Sequence, residues 1–231
     1  RQQLAVVGQS SEFERRRRIG GISPSYANGV LVCPTGVGAL VGVDLTSRHL
    51  RWGYTYGEDQ TGNGMRRNLA WQNQMLATAP RLEQIWADAC AIIADDKVLI
   101  TPTESEQLHC LSLEEGKPLW QRKRGKDVYL ACVHNRKAFL VGPAGMTALS
   151  LETGKEIGNE VFAGNIDKFP LLATGAVPSG RGYSAEGRYY LPVRLASGGA
   201  VLTVNLDSLE IEDVTAMRGE QAPGNLICHR D

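Results

Sequence analysis

The chain has no net charge, since 25 Lys and Arg balance 25 Asp and Glu, and it is poor in aromatics, at 6% of 231 residues. That balance removes any whole-molecule field drawing the protein to nucleic acid or to anionic lipid. Arg15 to Arg18 form a basic run, but no basic stripe accompanies it, so it reads as a solvated strand end and not as a nucleic-acid contact. Hydrophobic residues make up 42%, yet no apolar run is long enough to span a bilayer. Arg1 stands where an initiator Met would be expected, which is compatible with a signal peptide that was removed or was simply not included. The cysteines, Cys33, Cys90, Cys110, Cys132 and Cys228, show no C-x-x-C spacing, which argues against a zinc knuckle or a redox motif. Their odd number leaves at least one unpaired, and apolar settings such as Ala131-Cys132-Val133 make most of them small buried hydrophobes. His49, His109, His134 and His229 are scattered, and no G-x-S-x-G elbow occurs. Neither a zinc site nor a hydrolytic triad assembles from them, so no catalytic or metal-ligating residue is expected. Gly36-Val37-Gly38 opens like a dinucleotide fingerprint, but Val41 stands where the third Gly belongs, and a hairpin loop is the better reading.

What the chain does have is self-similarity. Four segments align without a gap: ALVGVDLTSRHLRW from Ala39, QLHCLSLEEGKPLW from Gln107, GMTALSLETGKEIG from Gly145 and AVLTVNLDSLEIED from Ala200. Each alternates apolar and small residues into a leucine, Leu45, Leu113, Leu151 or Leu206, and then turns. The second and third begin 38 residues apart, close to one propeller blade of ~40 to 45 residues; the wider spacings imply insertions.

Upstream of each segment lies a further pair of short strands broken by a polar turn, at Asn28-Gly29, Asp95-Asp96, Asn135-Arg136 and Glu186-Gly187. Each unit therefore offers four short antiparallel strands. Such sheets cannot close a core alone, and stacking their apolar faces around an axis buries them. The expectation is an all-β protein: a β-propeller of four-stranded antiparallel blades, partial, with about four blades. Those blades fall near 20–56, 87–124, 127–162 and 181–217, with insertions at 57–85 and 163–180. The ends, Leu4 to Val7 and Phe13 to Ile19 on one side and Asn225 to Cys228 on the other, read as pieces of further blades. One domain, or a segment of a larger propeller, covers 1–231.

The repeated segment resembles the quinoprotein-like, or PQQ-like, repeat, whose consensus runs Ala-Leu-Asp-Ala-x-Thr-Gly-Lys-x-x-Trp. Ala148 to Lys155 keeps the turn; Gly116, Lys117 and Trp120 keep the glycine, lysine and tryptophan. The first unit keeps Asp44 and Trp52 but has Arg48 where glycine is expected, and the fourth loses both glycine and tryptophan. In this reading Gly116 and Gly154 supply tight turns and Trp52 and Trp120 are plates between blades. The resemblance implies a bacterial protein of the periplasm or cell envelope. It also implies one of two functions: a non-enzymatic scaffold that binds proteins through a propeller face, or a dehydrogenase using PQQ with calcium. The second is disfavoured, because the adjacent cysteine pair of many such enzymes is missing and no calcium constellation matches residue by residue.

With strands a to d alternating in direction, the b-to-c and d-to-a connections emerge at one end of every blade and the a-to-b and c-to-d turns at the other. Both insertions are d-to-a connections, so the elaborated end is where binding is expected. Residues 57–85 carry Leu69, Met75, Leu76, Ala79 and Leu82 at helical steps around Pro80. The candidate binding residues at this end are Glu104, Arg181, Trp71 and Trp86; the expected partners are proteins, with no nucleic acid, no membrane span and no bound cofactor.

Overall fold

The computed structural model describes residues 23–36, 38–56, 86–143, 145–158, 175–217, 219 and 221–228. Among them are seventeen strands and no helix. The chain divides into two compact units, Arg1–Arg124 and Gly125–Asp231. Leu4–Val7, Arg15–Arg18, the helical pattern of 57–85 with Trp71, most of the second insertion and His229 lie outside the described residues.

The first unit holds two sheets. One runs β1(Ser25–Ala27), β2(Val30–Pro34), β3(Ala39–Asp44), β4(Leu50–Thr55); the other runs β5(Ile92–Ala94), β6(Lys97–Ile100), β7(Gln107–Ser112), β8(Pro118–Lys123). Each is an antiparallel meander in chain order. The second unit repeats the plan with β9(Tyr129–His134), β10(Lys137–Gly142), β11(Gly145–Ser150), β12(Glu156–Gly158), then β13(Val177–Pro178), β14(Tyr183–Ala185), β15(Arg188–Leu195), β16(Gly198–Asn205), β17(Ile211–Ala216). The inner strands carry the Val, Leu and Ile runs and are buried, whereas the outermost, β4 and β8, are mostly exposed.

The four aligned segments are structurally equivalent in detail. In each, the third-to-fourth strand pair shifts register at the same place, after Gly42, Cys110, Ala148 and Thr203. The repeated leucine donates its N–H back to the first hairpin of its own sheet: Leu45 to Gly29, Leu113 to Asp96, Leu151 to Arg136 and Leu206 to Gly187, all at 2.8 to 3.0 Å. The tenth residue, Arg48, Gly116, Gly154 or Leu209, has positive φ, between 59° and 66°. Register shift and left-handed residue together reverse the chain tightly enough to satisfy the turn carbonyls.

One core holds the sheets together within each unit. In the first, Val30, Val32, Leu40 and Trp52 of one sheet meet Ala91, Val98, Ile100, Leu111 and Leu113 of the other. Trp52 is the plate that the repeat predicts. It is 7% exposed, its Nε1 donates to the Leu113 carbonyl at 2.8 Å, and a Cβ at Gly42 or Gly116 would overlap its ring. Trp120, its counterpart on β8, is half-buried opposite Cys110. In the second unit Phe139, Val141 and Met146 pack with Tyr189, Leu191, Val193 and Leu202.

Two expectations need correction. The blade expected to begin at residue 181 begins at Val177, because β15 is eight residues long and takes two partners, β14 on its first half and the two-residue β13 on its second. Pro178, Ser179 and Gly180 read as chain breakers, yet a short edge strand tolerates proline because its N–H is not needed. Asn225 to Cys228 is not a strand: the segment is tied to the approach of β14, with Leu226 N–H bonded to the Arg181 carbonyl and Arg181 N–H bonded to Asn225 Oδ1, both at 2.8 Å.

Candidate functional site

At the b-to-c end of the first unit, β6 leads into the loop Thr101–Glu106 and β7 begins. Thr101 and Thr103 are buried there, and Thr101 Oγ1 donates to the Asp88 carbonyl at 3.1 Å. His109, 3% exposed, lies at the centre of a hydrogen-bonded chain. Gln121 Nε2 donates to the Tyr54 hydroxyl at 2.8 Å; that hydroxyl meets His109 Nδ1 at 3.0 Å; and His109 Nε2 meets Ser105 Oγ at 2.9 Å. A neutral imidazole donates through one ring nitrogen and accepts through the other, so His109 joins Tyr54 and Ser105 in one chain. Ser105 Oγ also accepts from the Gln107 N–H at 3.2 Å. The chain ties β4 to β7 through the side chains of Tyr54 and His109.

Tyr54 and Tyr56 crowd the same imidazole, with ring centroids 5.8 and 5.7 Å from it. Burial holds His109 down to about 4 and pushes the Tyr56 phenol well up, with the Glu104 carboxylate adding to the latter. Glu104 itself is half-buried and accepts from Thr103 Oγ1 at 3.3 Å. Trp86 is not a surface platform: it is 1% exposed, with the Arg124 guanidinium 6.0 Å from its ring centroid.

Arg181 belongs to the second unit, where it is half-buried. Its Nη2 donates to the Leu130 carbonyl at 3.0 Å and its guanidinium lies 5.4 Å from the Tyr129 ring centroid. Desolvation lowers its proton affinity. The four candidates therefore divide: Glu104 and Trp86 lie in the first unit, Arg181 in the second, and Trp71 outside the described residues.

The Tyr54–His109–Ser105 chain was not among the candidates. Ser105 and His109 stand four apart, but the third member comes from a different sheet, and only the folded chain joins them. The cysteines conform to their buried reading at two positions, Cys110 and Cys132, with burial pushing the Cys132 thiol up to about 12; Cys33 and Cys90 are half-buried and Cys228 is exposed. Among the described residues no three His, Cys, Asp or Glu side chains are grouped to hold a metal ion. The described carboxylates thus do not make a calcium cage of their own. No described helix is long and apolar enough to cross a membrane.

No protein-family profile and no curated protein matches the chain by sequence. Solved structures do match in three dimensions. BamB from Moraxella catarrhalis aligns at TM-score 0.50 and 18% identity over 85% of this chain and 49% of that one. The quinohemoprotein alcohol dehydrogenase of Comamonas testosteroni aligns at 0.52 and 12% identity, over 85% of this chain and 35% of that one. Quinohemoprotein alcohol dehydrogenase ADHIIG of Pseudomonas putida HK5 gives 0.51 and 16%, over 83% and 33%. The chain has the PQQ-like β-propeller repeat fold. It spans half or less of each of these structures, and at such identities the likeness carries the fold alone.

Proposed function

We propose that the chain is a non-enzymatic scaffold that binds a protein partner through the b-to-c and d-to-a end of its blades, in a periplasmic or cell-envelope setting. One observation carries this reading. At the opposite end all four sheets close with the same tight turns, down to the same leucine hydrogen bond and the same left-handed residue. Variation in connection length is concentrated at the proposed end, where 36 residues separate Thr55 from Ile92 and 18 separate Gly158 from Val177. A rigid frame with one elaborated end is the usual arrangement for loop-borne recognition. BamB and the alcohol dehydrogenases share the fold, so the fold does not choose between scaffold and enzyme.

The test replaces residues 57–85 with a short Gly-Ser bridge and compares partner recovery from envelope extract with that of the intact chain. Loss of a specific partner, with the far-ultraviolet β spectrum retained, is expected; unchanged recovery would count against this end as the binding surface. Uptake of PQQ in the presence of calcium, followed by alcohol-dependent dye reduction, would overturn the scaffold reading in favour of a dehydrogenase.

A further inference from the structure

Two asparagines cross from one sheet to the next in the same way. Asn28, the first residue of the β1–β2 turn, donates through Nδ2 to Asp96 Oδ1 in the β5–β6 turn at 2.8 Å. Asn135, the first residue of the β9–β10 turn, donates through Nδ2 to Asp207 Oδ1 just after β16, also at 2.8 Å. Both asparagines are exposed and left-handed, at φ 48° and 44°. Each bond lies within one unit, at the end of the blades opposite the proposed binding surface. The two differ in the residue that follows, Gly29 in one and Arg136 in the other.

That difference is chemical. The carboxamide carbon of an asparagine lies within reach of the next peptide nitrogen, which makes the residue labile. Glycine leaves that nitrogen unhindered, whereas a side chain obstructs it. Gly29 is also open: a Cβ built on it would meet nothing within 4 Å. We propose that Asn28 is a site of spontaneous deamidation, with water as the only co-reactant, and that the change unfastens the first sheet of the first unit from the second. The Gly29 nitrogen bonds to Asn28 Cγ and the Cγ–Nδ2 bond breaks; the amide leaves as ammonia, taking up the proton that the Gly29 nitrogen loses. Water then opens the cyclic imide at either carbonyl, giving aspartate or isoaspartate.

Either product loses the Nδ2 donor and puts a new carboxylate in the turn that faces Asp96, so an attraction becomes a like-charge repulsion. Isoaspartate also adds a carbon to the main chain ahead of Gly29. The Gly29 carbonyl, which accepts the Leu45 N–H at 3.0 Å, is then displaced, and the leucine bond common to the four blades is lost in the first. Asn135 and Asp207 form the internal control, because the same bond there is followed by an arginine.

The test incubates the folded full chain at mildly alkaline pH and maps its peptides by mass spectrometry. The peptide holding Asn28 is expected to gain the mass of an amide converted to an acid, in two forms of different retention, while the peptide holding Asn135 stays unchanged. Asn28→Asp, which makes one product directly, is expected to lower the melting temperature by about 2 to 4 °C. Asp96→Asn added to it is expected to recover the loss, because a donor again faces the carboxylate. Should either variant fail to fold, protein aged in an Asn63→Gln background, which removes the other Asn-Gly pair of the sequence, supplies the modified chain by anion exchange for the same melting measurement. An Asn28 peptide that stays intact, or that changes no faster than the Asn135 peptide, would overturn the site. A melting temperature that the change leaves untouched, or a loss that Asp96→Asn does not recover, would overturn the unfastening.

Discussion

Trp52 shows how one side chain couples two sheets. Its indole lies on Gly42 and Gly116 and its N–H is spent on the Leu113 carbonyl, so shape and hydrogen bonding agree. Gly116→Ala forces a methyl group into the ring at a residue whose φ is 66°, adding overpacking to backbone strain. The expected loss is about 2 to 4 kcal/mol, read as a lower urea midpoint at unchanged slope. Trp52→Phe keeps most of the apolar area but leaves the Leu113 carbonyl without its donor, for about 1 to 3 kcal/mol. His109 makes stability depend on pH. Its folded-state value is held down to about 4, against the ordinary 6.5 that it regains on unfolding. Between those values the unfolded chain binds the extra proton, so the contribution is complete above pH 6.5 and is lost as pH falls toward 4. Denaturation at pH 7, 6, 5 and 4.5 should show that decline, and His109→Gln should flatten it; a decline of equal size in the variant would assign it to the carboxylates instead.

At the scale of the element, the c-to-d turn is the unit that repeats. Its tenth residue is left-handed in every blade, although only two of the four are glycine. Arg48 is exposed and holds φ 59° in the first blade, whereas Leu209, at 62°, packs against the second core. Arg48→Gly should therefore stabilise the chain by about 1 kcal/mol, because it removes a left-handed Cβ clash and gives up no packing. Leu209→Gly should not stabilise, because lost core contact offsets the relief. Paired urea titrations would check both. The same turn explains what was legible in the sequence. Arg48 broke the consensus glycine and Leu209 replaced it, yet the alternation before them and the leucine three residues earlier aligned all four units, and the backbone agrees at each position. Strand periodicity is local, so it survives in sequence. The short β13 was hidden by Pro178 and Gly180, which mark loops unless a long neighbouring strand is there to pair with them. The site is less legible for the same reason: strand order puts Glu104 and Trp86 at one end of the blades, but that Trp86 is buried, and that Tyr54 reaches His109, depends on contacts between residues far apart in the chain.

For the whole molecule, fold and charge constrain behaviour more than chemistry. The frame is shared with proteins of different names and sizes, so the fold by itself does not say what this chain does. Its charge balance has a consequence of its own. With 25 cationic and 25 anionic side chains and an isoelectric point near 7.1, self-repulsion vanishes close to neutrality. Polyethylene-glycol precipitation across pH 5 to 9 should therefore place minimum solubility near pH 7. A minimum displaced well away from neutrality would mean that a local charged patch, and not the total, governs how copies of this chain meet.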